Sequence, residues 1–280
     1  MKKKTVAVMM AALMAMGMMT GVSVQAGVKD KTLIVGFDAE YPPYGYMDEN
    51  GEYTGFDLEL AQAVCDIEGW ELEKKPINWD SKDMELNSGS IDCIWNGFTM
   101  NGREDEYTFS VPYVDNSQVI VVAEDSGIEK LTDLAGKTVG VQAASAALDV
   151  LQSEEEGGQK ELADTFAALN EFADYNTAFT ELQAGALDAL AIDVGVAKYQ
   201  IKSRGEGFVM LEESLNTEQY AIGFKKGNDE LCDIVNADLQ KLADDGTVQE
   251  LAEKYEIADM VSLGAAEETA EDADTEETAE

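Results

Sequence analysis

The sequence predicts an α/β protein of two similar lobes, each a mostly parallel sheet with flanking helices, joined by two extended hinge crossings. Three observations carry this. A strand–helix–strand–helix–strand order recurs in two successive stretches, the pattern of a parallel α/β sheet. Both stretches contain a glycine-stopped helix, at Ser88-Gly89 and Ala184-Gly185. Each stop leads into a matching strand start, Ile91-Asp92-Cys93-Ile94 in one and Leu187-Asp188-Ala189-Leu190 in the other. Two long extended runs, near 119–125 and 217–223, lie where the chain must pass from one unit to the other and back.

Taken in order, residues 31–37 form a short apolar strand that ends at Asp38. Asn50-Gly51 marks a tight turn between two extended arms. Leu58, Ala61, Val64 and Cys65 recur at helical spacing, so 57–67 is an amphipathic helix, expected to be capped by Asp57 and stopped at Gly69. Residues 71–77 read as a strand, 80–86 as a short helix capped by Asp80, and 91–95 as a strand. Residues 118–123 are the first crossing. In the second unit, 137–141 is a strand and Ser145 starts a helix. Residues 168–172 form a strand, 177–184 a helix, and 187–192 a strand ending at Asp193 before a helix through Tyr199. After the second crossing at 217–224, helices at 229–243 and 247–255 are separated by Gly246. The expected organisation is a leader at 1–26, lobe 1 from 30–121 and 221–262, lobe 2 from 122–220, and a tail at 263–280.

The two ends bound the location. Lys2, Lys3 and Lys4 precede an uncharged run over 5–19 rich in Met and Ala, followed by Val24-Gln25-Ala26. A charged start, an apolar stretch too short for the roughly 20 residues of a membrane span, and small residues at a cleavage point describe a secretory signal cut after Ala26. No cysteine near that point offers a lipid-attachment site, and the mature chain is expected to be soluble outside the cytoplasm. The net charge of −38, with 57 acids against 19 bases, leaves no basic stripe for nucleic acid or an anionic membrane. Part of the acidic excess lies after Gly264, where acids alternate with Ala and Thr; such a tail has nothing to bury and is expected to be disordered. Cys65, Cys93 and Cys232 each sit in apolar surroundings and read as small buried hydrophobes. The chain contains no histidine, which removes His-dependent triads and the commonest zinc ligand. No metal or cofactor is expected.

The most informative chemistry lies in Asp92-Cys93-Ile94-Trp95-Asn96-Gly97-Phe98-Thr99-Met100-Asn101-Gly102-Arg103. An apolar strand runs into a bare backbone at Gly97, a hydroxyl at Thr99 and a guanidinium at Arg103. Carbonyl and hydroxyl oxygens accept from an ammonium, and a guanidinium can donate two parallel bonds to a carboxylate, so the stretch could hold half of a zwitterion. Strand-end ligand sites of open α/β sheets lie beyond the carboxyl ends, and two facing lobes place such ends in one cleft.

The residues Gly36-Phe37-Asp38, Tyr41-Pro42-Pro43-Tyr44, Gly55-Phe56-Asp57-Leu58, the stretch through Arg103, Phe109-Ser110-Val111-Pro112-Tyr113, Leu134-Ala135-Gly136-Lys137-Thr138-Val139-Gly140-Val141 and Leu187-Asp188-Ala189 with Asp193 occur in this order. Over 30–260 the chain resembles the type 3 extracellular solute-binding proteins that deliver polar amino acids to ABC importers. The resemblance implies a periplasmic-binding-protein-like fold, a membrane permease as partner, a monomer, and hinge closure on an amino acid. It implies that Arg103 clamps the ligand carboxylate, helped by Ser145. Asp193, Thr99 and the Gly97 carbonyl would receive the α-ammonium. Tyr41 and Trp79 would sandwich the side chain, with Asp38 and Gln142 near its end. Trp95 is read as core or cleft wall. Two departures stand out: the Thr99-to-Arg103 spacing is one residue short of the family's frequent pattern, and Ala144 and Ala146 replace the usual Gly and Thr around Ser145. A soluble sensor or a dehydratase-like enzyme on the same scaffold are the alternative functions.

Overall fold

The structure, a computed structural model, describes residues 28–264. The expected leader at 1–26 and the tail from residue 265 onward lie outside the described residues. Two five-stranded mixed sheets form the body. In the first, the order is Glu71–Pro76, Thr32–Phe37, Cys93–Ile94, Gly223–Lys225 and Tyr107–Phe109. Thr32–Phe37 pairs in parallel with both of its neighbours, whereas Gly223–Lys225, returning from the far sheet, enters antiparallel. In the second, Ala168–Phe172, Thr138–Gln142 and Ala189–Asp193 are parallel. Val114–Ala123 and Phe208–Tyr220 then add antiparallel. The expectation of repeated α/β lobes holds.

The crossings are longer and more regular than the sequence suggests. Val114–Ala123 and Phe208–Tyr220 pair with each other from Phe208↔Ala123 to Tyr220↔Val114, with register shifts on either side of Ser214. They form a two-stranded ribbon along one edge of the second sheet, whose end beyond Tyr220 feeds the first sheet. A small third sheet of Glu40–Tyr41, Gly45–Met47 and Tyr53–Thr54 carries the Asn50-Gly51 turn, with Gly51 at φ +83°.

Helix Phe56–Glu68 begins one residue before Asp57, and Gly55 occupies its N-cap without a side-chain bond. Asp57 is therefore no cap. It sits in the first turn, fully buried, because its carboxylate accepts the Gly97 N–H at 2.6 Å. Gly69 stops the helix in the left-handed conformation, as expected. Nor does Asp80 cap: Trp79–Ser81 is a 3₁₀ turn and Lys82–Ser88 is the helix. The predicted strand at 91–95 shortens to Cys93–Ile94, because Asp92 spends its carboxylate on the Ile34 N–H at 2.8 Å and the backbone past Ile94 turns toward Gly97. All three cysteines are free and buried, in keeping with their apolar contexts.

Both faces of each sheet are covered. One apolar cluster runs continuously from Leu33, Val35 and Phe37 of the first sheet to Leu190 and Ile192 of the second. It crosses the junction through tyrosines: Tyr41 lies 6.1 Å from Tyr175, and Tyr44 meets Tyr220 edge-on at 5.3 Å. The opposite faces hold separate clusters, around Ile120, Val139 and Leu148 in one lobe and Trp79, Ile94 and Phe98 in the other. The lobes are thus in contact across the cleft.

Candidate ligand-binding site

The strand ends of both sheets converge where the lobes meet. A narrow cavity of only about 10 Å³ there is lined by Tyr41, Trp79, Gly97, Thr99, Arg103, Gln142, Ser145, Ala146 and Asp193. Eight of the nine residues expected around the ligand line it, Gln142 among them. Asp38 stands one step back, buried, with its carboxylate accepting from Gln142 Nε2 at 2.7 Å and from the Glu40 N–H at 2.9 Å. Gln142 lies in the second lobe, so this bond spans the cleft. Trp95 is fully buried and does not line the cavity.

Gly97 shows why this stretch has no side chain there. Its φ is +55°, and a Cβ would come within 2.9 Å of the rings of both Tyr41 and Tyr220. Asp57 holds that backbone from behind, which gives the Gly55-Phe56-Asp57-Leu58 motif a structural role at the site.

Tyr41 and Trp79 are nearly parallel, 8° apart in plane, with centroids separated by 6.5 Å. Both rings line the cavity, so together they offer near-parallel aromatic faces to it. Lys82 Nζ lies 5.3 Å from the Trp79 ring centroid and donates to the Ala144 carbonyl across the cleft at 3.0 Å. Ala144 itself takes φ +54°, a geometry that costs an L-residue about 1–2 kcal/mol and suits the glycine more usual there.

Arg103 reaches the cavity despite the short spacing. It donates to the Thr99 carbonyl at 3.3 Å and to Asp149 at 2.6 Å, and its guanidinium packs 5.1 Å from the Phe98 ring centroid. Its carboxylate partner is therefore Asp149 of the opposite lobe rather than the neighbouring Glu104 or Asp105. Two of its five donors are so engaged, leaving three. Ser145 caps helix Ala146–Gln152, accepting from the Leu148 N–H at 3.2 Å; its hydroxyl proton remains to be donated.

Asp193 occupies the N-cap position of helix Val194–Arg204 but makes no capping bond. Instead its Oδ1 accepts from Gln118 Nε2 at 2.6 Å, Tyr220 Oη at 2.6 Å and Asn116 Nδ2 at 2.8 Å. All three bonds fall on Oδ1, so Oδ2 keeps its acceptor capacity. Glu218 completes the network: its Oε1 accepts from Thr99 Oγ1 at 2.7 Å and from Asn116 Nδ2 and Gln118 Nε2, both at 2.8 Å.

Asn116, Gln118, Glu218 and Tyr220 were not foreseen as site-forming. A signal was present: polar residues two apart on each crossing, on the phase that a half-buried strand turns inward.

The electrostatics follow burial. Asp38 is pushed up to about 6 and Asp57 to about 7, in both cases chiefly because burial disfavours the charged carboxylate. Glu218 is raised by burial first and by the nearby charge of Asp193 second. Lys82 is lowered by burial and by the charge of Arg103.

A cleft-spanning cavity with a guanidinium on one side, a buried carboxylate on another and facing aromatic rings is a site for a small charged solute held by two lobes. Residues 33–258 match the bacterial extracellular solute-binding proteins, family 3, and the chain belongs to that family. Its members are substrate-binding proteins rather than enzymes and are extracellular or periplasmic. Among relatives, the chain is 30% identical over 260 residues to the L-cystine-binding protein TcyJ of Escherichia coli strain K12, covering 89% of this chain and 94% of that protein. It is 34% identical over 229 residues to the arginine-binding extracellular protein ArtP of Bacillus subtilis strain 168, covering 80% and 86%. It is also similar to an ABC uptake transporter substrate-binding protein from Streptococcus pneumoniae solved with bound histidine. That similarity has a TM-score of 0.78 and 33% identity, covering 83% of this chain and 95% of that one. Among the described residues no helix is long and apolar enough to cross a membrane.

Proposed function

We propose that this protein binds a polar amino acid between its lobes and delivers it to an ABC permease in the membrane, as a monomer exported by the leader at 1–26. The observation that carries the reading is the convergence of Arg103, Thr99, Ser145 and Asp193 with two parallel rings on one cavity. Arg103 and the Ser145 donors would hold the carboxylate. Asp193, Thr99 and the Gly97 carbonyl would hold the ammonium, and a planar side chain would lie between Tyr41 and Trp79, with Asp38 and Gln142 at its end. The relatives named above bind cystine, arginine and histidine, and a planar side chain suits the last two.

Lobe 1 is taken as 30–121 and 221–262 and lobe 2 as 122–220, so Arg103 and Thr99 face Ser145 and Asp193. A ligand touching both lobes stabilises the closed form by contacts the open form lacks. No catalytic role is proposed: the chain has no histidine, and its polar groups are accounted for by a zwitterion.

Screening the twenty amino acids and cystine by thermal shift and calorimetry tests the reading. At least one should raise the melting temperature and bind with micromolar or better affinity, and be recovered unaltered after long incubation. Absence of binding by all of them would refute it. A ligand that comes back dehydrated or decarboxylated would instead support an enzyme.

A further inference from the structure

Glu218 is a buried acid that the binding scheme does not use. It lies on the second crossing, directly opposite Asn116 in the ribbon. It is buried, and four donors converge on it: Thr99 Oγ1, Asn116 Nδ2 and Gln118 Nε2 on Oε1, and Asn216 Nδ2 on Oε2 at 3.3 Å. The same two amides also serve Asp193. Both spend their NH₂ groups on the two carboxylates, and their oxygens, Asn116 Oδ1 and Gln118 Oε1, have no partner among the described residues. Leaving two buried acceptors unpaired is costly, so the amides are arranged around the acids and not the reverse.

The network has a direction. A threonine hydroxyl has one proton, and Thr99 donates it to Glu218. Toward the cavity Thr99 Oγ1 can then only accept. Tyr220 likewise donates to Asp193, so in its contact with Tyr41 Oη at 3.2 Å it acts as the acceptor. This end of the cavity presents acceptors and two carboxylates, and among the described residues no cationic side chain bonds to either of them.

We propose that Glu218 is a specificity-determining positioning residue: by fixing the Thr99 hydroxyl as an acceptor and adding a second negative charge behind Asp193, it makes a ligand ammonium obligatory. This rests on the amino-acid reading and deepens it. Asp193 would touch the ammonium, and Glu218 acts through Thr99 and the shared amides.

The acid is held at a cost to the ligand-free protein. Its neighbouring titratable groups are Asp193 and the tyrosines Tyr44, Tyr175 and Tyr220, and none of them supplies positive charge. Burial and Asp193 raise Glu218 above the usual carboxylate range. Its contribution to stability is therefore full below the unfolded value and declines as pH rises through the folded one.

Glu218→Gln in the full mature chain separates the roles, because a glutamine Oε1 can accept the same bonds without the charge. Two readouts are needed. The first is the ligand-free melting temperature across pH, where Glu218→Gln should gain on the wild type as pH rises. The second is calorimetry with L-arginine, L-histidine and L-glutamine against their des-amino counterparts 5-guanidinopentanoate, imidazole-4-propionate and glutaramate. The ratio of amino acid to des-amino affinity should narrow at least tenfold in Glu218→Gln and stay wide in Glu218→Asp. A residue with a merely structural role would lose stability and affinity together and leave the ratio alone; that result, or an unchanged ratio with a normal wild type, overturns the proposal. If none of the three amino acids binds the wild type, the amino-acid reading falls and the role of Glu218 falls with it.

Discussion

The two charged ends of the cavity are built differently. At the Asp193 end four buried side chains, Thr99, Asn116, Gln118 and Tyr220, hold one Asp193 oxygen and the neighbouring Glu218. At the Arg103 end the guanidinium side chain is 12% exposed, but its partner Asp149 is 61% exposed and belongs to the facing lobe. The first end is built on the hinge ribbon, whose two strands supply Asn116, Gln118, Glu218 and Tyr220. The second is assembled when the lobes meet, since its partner crosses the cleft. Preorganised groups give more binding energy per bond than groups ordered on binding, so substitutions at the two ends should differ in size.

The largest effect is expected at the buried end. Asp193→Asn keeps the shape but removes the charge and sets an amide against donors that need an acceptor. Removing one partner of a buried, hydrogen-bonded charge contact costs about 2–5 kcal/mol, so affinity for the amino acid found by screening should fall about 30-fold or more. Calorimetry on a variant with normal circular dichroism measures it. A loss under tenfold would mean that Asp193 does not receive the ammonium.

Next comes the buried flank. Asp38 is held at about 6, above the ordinary carboxylate value of 3.8. A raised value means the folded form favours the proton. The corresponding stability is present below about pH 4 and is lost as pH rises through about 6, by an amount on the order of 2–3 kcal/mol. Asp38→Asn should flatten the fall in melting temperature between pH 4 and 6. The part extending toward pH 7 should remain, because Asp57 titrates there at about 7. An unchanged slope between pH 4 and 6 would show that Asp38 is already ionised in the folded protein.

How much of this was legible beforehand follows the same division. The groups that face the cavity stand at strand ends next to glycine or a helix start: Gly97, Thr99, Ser145 and Asp193. Local pattern finds such places. The strand expected at 168–172 is found at Ala168–Phe172, and Gly69 stops its helix as expected. What local pattern misses is long-range pairing. Thr99 and Glu218 are 119 positions apart, and Arg103 and Asp149 are 46 apart, so no window of sequence contains either contact. The role of Asp57 is hidden from local pattern for the same reason. An acid at a helix start is ordinarily a cap, and only the approach of Gly97, 40 residues on, makes it a buried anchor.

Arg103→Lys should have an intermediate effect. Lysine keeps the charge but loses the planar fork that reaches the Thr99 carbonyl, Asp149 and a carboxylate together. It also loses the flat packing against Phe98. A weakening of about tenfold, near 1–2 kcal/mol, is expected by calorimetry. Equal affinity in Arg103→Lys would mean that a point charge suffices and that no bidentate clamp forms.

The smallest effect belongs to Asp149, and it tests most directly whether the Arg103 end is assembled on closure. The pair joins the lobes, so it favours the closed form. It is also half in water, where ion pairs contribute about 0–1 kcal/mol and are screened by salt. Asp149→Asn should therefore weaken ligand binding no more than about fivefold, mainly through faster dissociation. Salt supplies the sharper readout. Wild-type affinity should decline between about 0.05 and 0.5 M salt as the Debye length shrinks, whereas the Asp149→Asn protein should be close to flat. The Asp193 end, shielded by burial, contributes little to that slope, so Asp193→Asn should retain whatever salt dependence remains measurable. A steep salt response that survives in Asp149→Asn would place the screened charge elsewhere, and the contrast between a preorganised end and one formed on closure would have to be abandoned.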